Sequence, residues 1–192
     1  MRYRRSIALA LCACIALGAC SRGKEWQELE IPEGGFKVLM RPQPHYARQQ
    51  LETPAGKMYG HLYSSERPDA FFAVGYSDYP IALVAATPPQ ALFDGVRDTW
   101  VKRIGGRLTM SSPLVLQGTY PGLEFSAEGR VKDNETFLQG RLFLFDQRLY
   151  QVIAMGRKGE VAQGTLNRFL NSFRIVPVAE TARFEVKPPM EK

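Results

Sequence analysis

His45 and His61 are the only imidazoles in the chain of 192 residues, and this scarcity limits the chemistry available. A metal site needs several convergent His, Cys or carboxylate ligands. Here it would require a hairpin that brings His45 and His61 onto neighbouring strands, with Glu52 or Glu66 beside them. No metal and no other cofactor is expected, and these two histidines are the only weak metal candidates. A serine hydrolase would need one of them as its base, and no Gly-x-Ser-x-Gly elbow supplies a nucleophile. Carboxylate catalysis needs two acids at a defined separation. Glu124 and Glu128 on one strand face would stand about 13–14 Å apart at ~3.4 Å per residue, beyond the ~5–9.5 Å that glycoside chemistry uses. Glu128 is expected instead to lie diagonal to Arg141 as a cross-strand ion pair. Asp94 and Asp98, with Arg97 and Lys102 nearby, read as the solvated face of a helix. Gly34-Gly35 and Gly105-Gly106 lack the context of a phosphate loop. No residue is assigned as catalytic. What remains is a group of rings, Tyr59, His61, Tyr63, Tyr76 and Tyr79, which form a candidate binding patch because tyrosine offers large contact area at low entropy cost.

The cysteines point elsewhere. Arg2, Arg4 and Arg5 precede an apolar run from Ile7 to Leu17, which is shorter than the ~18 residues a membrane span requires and reads as a secretory signal. Leu17-Gly18-Ala19-Cys20 then has the form of a bacterial lipobox, with Cys20 as the lipidation site and first mature residue. Cys12 and Cys14 would leave with the signal, so the mature chain has no internal disulfide and must be held by burial alone. Of the 25 Lys+Arg, 22 remain against 19 acids, a charge near +3. No basic block suggests a nucleic-acid partner. Each buried methylene contributes ~0.8 kcal/mol, so a multiply acylated Cys20 would hold the body on a membrane almost permanently. Ser21 follows where an Asp would resemble an inner-membrane retention signal, which favours the periplasmic face of an outer membrane.

Apolar types make up 45% of the chain, with 17 Gly and 13 Pro, as expected for one globular domain rather than a disordered or coiled-coil chain. Trp26–Ile31 alternates, Pro32-Glu33-Gly34-Gly35 turns, and Phe36–Met40 forms a second strand. His45–Glu52 and Lys57–Ser64 read as a hairpin around Pro54-Ala55-Gly56. Ala70–Tyr76 is apolar on both parities, which suits a strand covered on both faces. A helix of about 16 residues follows Thr87-Pro88-Pro89, with Thr87 as its cap and Leu92, Phe93, Val96, Trp100 and Ile104 on one stripe. Leu108–Leu116 carries Pro113 and reads as an edge strand or two short pieces. Three strands then meander, turning at Asp133-Asn134 and at Gln147-Arg148, and a second helix runs from about Glu160 to Ser172. Folding about Asp133-Asn134 puts Phe143 on the face of Glu124 and Leu142 on the face of Phe125, so both faces are apolar and both need cover.

The segments Gly35-Phe36-Lys37-Val38-Leu39-Met40-Arg41-Pro42, Val74-Gly75-Tyr76-Ser77-Asp78-Tyr79-Pro80, Gly122-Leu123-Glu124-Phe125, Arg148-Leu149-Tyr150-Gln151 and Arg168-Phe169-Leu170-Asn171-Ser172-Phe173, in this order of elements, resemble the PsbP-like family, named for an extrinsic photosystem subunit. The resemblance spans roughly residues 34–176. It implies an α+β fold, a mostly antiparallel sheet flanked by helices on both faces (an α/β/α sandwich), and a family that includes assembly factors and binding proteins. The lipobox and the scarcity of histidine depart from the photosynthetic members.

The expected organisation is a lipoprotein signal peptide at 1–19, an acylated cysteine, tether and first short strand at 20–33, the globular domain at 34–176 and a C-terminal tail at 177–192. The expected role is a non-catalytic, lipid-anchored binding or assembly module of the cell envelope, with the membrane and an envelope protein as partners. A small-molecule or metal-ion carrier of the periplasm is second, and a carboxylate-based hydrolase third.

Overall fold

The computed structural model describes residues 26–53 and 56–176. The signal segment, Cys20, the tether before Trp26, Pro54-Ala55 of the hairpin turn and the tail at 177–192 lie outside the described residues. In chain order the strands are β1 (Gln27–Ile31), β2 (Phe36–Met40), β3 (His45–Thr53), β4 (Gly56–Glu66), β5 (Ala70–Asp78), β6 (Arg107–Leu116), β7 (Tyr120–Val131), β8 (Asn134–Phe145), β9 (Arg148–Arg157) and β10 (Arg174–Ile175). Helices α1 (Ile81–Ala86) and α2 (Pro89–Arg103) follow β5, and α3 (Gln163–Ser172) precedes β10.

Seven strands form one antiparallel sheet in the order β3-β4-β5-β9-β8-β7-β6. The double-sided apolar run of β5 takes its place in the interior of this sheet, since a strand with no polar parity cannot leave one face wet. Phe72, Val74, Tyr76, Phe143, Tyr150 and Val152 are buried on one face. Ala73, Leu123, Phe125, Leu142 and Ile153 are buried on the other, with α2. Phe125 pairs across the ladder with Gly140 and its ring lies where a Gly140 Cβ would be, so this glycine is needed for a close approach.

The fold is the expected α+β sandwich with helices on both faces, and one layer holds more than a helix. The first two strands do not join the main sheet. They pair with β10 as a separate sheet, β1-β2-β10, which packs with α3 over the face of Phe72 and Tyr150. Helix α3 presents Leu166, Phe169 and Leu170 inward, and its Ser172 Oγ accepts the Leu39 N–H at 2.9 Å.

Several local expectations are corrected. The β7–β8 turn is Lys132-Asp133, with φ of 48° and 65°, the two positive values of a type I′ hairpin. The register is therefore Glu124↔Arg141 and Glu128↔Phe137. Arg141 bonds Glu124 at 2.7 Å, while Glu128 takes Arg107 at 3.1 Å and Lys158 at 3.6 Å. Thr87 does not cap α2: its N-cap is Pro88, with no side-chain bond. Helix α3 starts at Gln163 after an extended Ala162, later than Glu160. Strand β6 is one continuous edge strand that tolerates Pro113 and carries a bulge between Leu108 and Met110. Helix α1 is an element that the sequence pattern did not signal.

Candidate functional site

Register decides which rings meet. Tyr46 opposes Tyr63, Arg48 opposes His61, His61 opposes Tyr76, and Tyr76 opposes Tyr150, and direct partners share a face. A stack follows: the His61 and Tyr76 rings are parallel within 1° at 4.5 Å, and the Arg148 guanidinium covers the Tyr76 ring at 4.6 Å. Tyr46 Oη and His61 Nδ1 are hydrogen-bonded at 2.8 Å. Tyr59 lies on this face with Arg48 over its ring at 3.8 Å. Tyr63 is buried and donates to Glu33 Oε1 at 3.1 Å. Tyr79 belongs elsewhere: it packs half-buried with the α2-side core, and its N–H donates to the Gln147 carbonyl at 2.8 Å.

Four of the five patch residues thus share a face, but Tyr63 and Tyr76 are walled in and only Tyr59 offers much ring to solvent, joined by Tyr46. His45 opposes Ser64 and so lies on the other face of the hairpin from His61. The structure does not bring the two histidines together. Among the described residues no group of three or more His, Cys, Asp or Glu converges.

The stack ends at a groove of about 950 Å³ where the strand ends, the β1–β2 turn, α1 and the β8–β9 turn meet. Arg148, first residue of β9, is its pivot. Its Nε and Nη2 donate to the two oxygens of Asp78 at 2.6 and 2.7 Å, and its Nη1 donates to the Glu33 carbonyl at 2.9 Å. This fork-to-fork geometry is the strongest form of an Arg–carboxylate pair. Tyr150 Oη donates to the Gly34 carbonyl at 2.9 Å. Gly35, at φ +65°, lets the turn close over both side chains. Val176 N–H returns to the Gly35 carbonyl at 2.8 Å.

Across the groove stands α1, Ile-Ala-Leu-Val-Ala-Ala, with no buried residue. A helix apolar all round is normally buried, yet Ile81 is 73% exposed. Ile81, Val84 and Ala85 line the groove opposite Pro32 and Phe145. The sequence reading missed Glu33, Asp78, Ile81, Phe145 and Arg148 as site residues. The apolar stretch from Ile81 to Ala86 has no period that would mark it as a helix.

The electrostatics follow from burial and pairing. Hydrogen bonding to Asp78 holds the Arg148 pKa above its ordinary value. Burial, then the charge of Arg48, pushes His61 below the usual imidazole value. Burial raises Tyr63, with the Glu33 hydrogen bond adding to it, and burial pushes Tyr76 from 10.0 up to about 12 against the pull of Arg148. A hydroxyl that keeps its proton longer when folded stabilises the fold below its unfolded pKa; that contribution is lost as pH rises through the folded one, because the unfolded chain ionises first. The urea midpoint is therefore expected to fall between pH 10 and about 12, and Tyr76→Phe to make that fall shallower. An identical slope in the variant would refute this origin.

With the geometry described, comparison with known proteins defines the class of fold. No family model matches the chain and no curated protein does. Among solved structures it is similar to cyanobacterial PsbP (CyanoP) from Synechocystis sp. PCC 6803, with a TM-score of 0.53 at 10% identity over 87% of this chain and 98% of that one. The chain has a PsbP-like fold. Weaker likenesses are to LpqN, involved in cell envelope biogenesis of Mycobacterium tuberculosis (TM-score 0.39, 15% identity, 80% of this chain and 79% of that one), and to a Pseudomonas aeruginosa protein of unknown function described as a putative regulator (0.38, 7%, 71% and 85%). Among the described residues no helix is long and apolar enough to cross a membrane.

Proposed function

We propose that this chain is a non-catalytic binding module of the bacterial cell envelope, held on the periplasmic face of the outer membrane by lipid on Cys20, and that it meets its partner at the groove under α1. The observation that carries the reading is the wholly apolar α1 standing unburied at the edge of a groove. Exposed apolar surface rimmed by polar groups marks an interaction site. The arrangement of charge supports binding over catalysis: three Arg148 donors and both Asp78 oxygens are committed to each other and to the β1–β2 turn. The volume lies within the ~300–1,000 Å³ of small-molecule sites, which keeps a carrier as second reading.

Placement along the strands fits an anchor at one end. Trp26 packs on Phe72, ring centroids 5.0 Å apart, whereas the groove begins at Asp78 and Pro32. Six residues at ~3.3 Å put the groove about 20 Å from Trp26. The groove thus lies at the end of the sheet opposite Trp26, the described residue nearest in sequence to Cys20.

Two measurements test the reading. Labelled palmitate is expected to enter the wild-type chain and to be lost in Cys20→Ala, which should leave the membrane fraction; equal labelling of both would end the lipid assignment. A photo-crosslinking residue at position 81 is expected to capture one specific envelope protein in intact cells, whereas one at exposed Val115 on the β6 edge is not. Capture of nothing from position 81 would refute the binding role.

A further inference from the structure

We propose that the groove selects a cationic, apolar peptide segment of its partner. This rests on the binding-module reading and adds the chemistry of what is bound. The apolar part follows from Ile81, which is exposed and stays wet until something apolar covers it, flanked in the groove lining by the half-buried Val84 and Phe145. The cationic part follows from the rim. Glu33, Asp78 and Asp146 face one cation, Arg148, around the opening. Arg148 commits three of its five N–H donors to Asp78 and the Glu33 carbonyl, and its charge is already paired with Asp78, so an arriving anion meets no unpaired cation on this rim. Asp146 has no ion pair among the described residues, and Glu33 accepts one hydrogen bond there, from Tyr63. A neutral apolar ligand would strip water from both carboxylates and return nothing, which is costly. A lysine or arginine beside an apolar side chain satisfies rim and floor together.

The rim is acidic on a body whose mature sequence carries a charge near +3, so the selection is local and depends on contact rather than on the field of the whole molecule. A peptide suits the site better than a compact amine. The groove is open along α1, and Ile81 stands 73% exposed, so covering it takes an occupant that extends beyond the opening.

The test uses the full chain with Cys20→Ser, which avoids any effect of lipid, and three fluorescent hexapeptides: alternating Lys-Leu, Glu-Leu and Lys-Ser. Lys-Leu is expected to bind, and the other two at least tenfold more weakly. Glu33→Gln with Asp146→Asn keeps the Tyr63 acceptor and a residue tolerant of the positive φ at 146. It is expected to weaken Lys-Leu binding on the order of tenfold, as two exposed ion pairs allow. Ile81→Ser, at a position with no buried contact, should weaken it independently. Equal binding of the Glu-Leu peptide, indifference to the double substitution, or displacement of Lys-Leu by hexylamine at equal concentration would each overturn the inference. Specific capture of a protein from position 81 in cells, together with failure of the Lys-Leu peptide, would defeat this inference alone. Capture of only residues 177–192 of the same chain from that position would defeat the binding-module reading as well.

Discussion

Phe36→Ala is expected to remove about 3–5 kcal/mol of stability, the range for deleting a fully buried phenylalanine. Phe36 is 0% exposed and stands at the junction of the two sheets. Within its own sheet it opposes Ile31 on one side and Ile175 on the other. Against the large sheet and α3 its ring meets Tyr63, Tyr76, Tyr150 and Phe173 at centroid distances of 5.7–6.3 Å. Edge-to-face aromatic pairs contribute beyond the area they bury, so Phe36→Leu, which restores most of the volume and none of the ring geometry, should recover part of the loss. Urea denaturation of the three proteins measures it. The loss has a functional side, because Phe36 directly follows the turn that forms one groove wall. Peptide binding should fall in Phe36→Ala even where the chain stays folded. A destabilisation below about 1 kcal/mol, far under the expected range, would mean the small sheet is not held through this residue.

Arg148→Ala comes next, at about 1.5–3 kcal/mol, the scale of hydrogen bonds to a charged partner. The guanidinium ties β9 to two other elements: β5, through Asp78 and the Tyr76 ring, and the β1–β2 turn, through the Glu33 carbonyl. Partial exposure of Asp78 keeps the figure below that of a buried pair. Arg148→Lys retains the charge and loses the planar fork, so it should recover less than half. A double-mutant cycle with Asp78→Asn isolates the pair, and a coupling near 1 kcal/mol is expected for neighbours in one network. Strict additivity would show that the two side chains are adjacent without stabilising each other.

How much of this was legible in the sequence depended on parity. The reading placed the β7–β8 turn at Asp133-Asn134, but the chain turns one residue earlier, with Asn134 Nδ2 donating to the Lys132 carbonyl. Moving a two-residue turn by one position shifts the cross-strand pairing by two, which preserves faces. The inference that Phe143 and Leu142 lie on opposite, covered faces therefore survived, whereas the Glu128–Arg141 pair did not. The histidine pair failed for the opposite reason: position 45 opposes 64, which puts it out of phase with 61. Helix α1 was invisible because six consecutive apolar residues have no period to detect. The Tyr76 stack was partly visible as a local excess of rings. The groove was not, since Glu33, the Asp78–Ile81 stretch and Arg148 lie far apart in sequence and only the crossing of two sheets brings them together.

Strand β10 is two residues long, and the Gln117 side chain supplements it by accepting the Ile175 N–H at 2.8 Å and donating to the Ile175 carbonyl at 3.2 Å. The wall that begins at Pro32 is fastened by residues 174–176 near the opposite terminus. A polypeptide still emerging from a ribosome lacks this clasp until residue 176 has been made, so the groove wall can be fastened only after every other described strand has been synthesised.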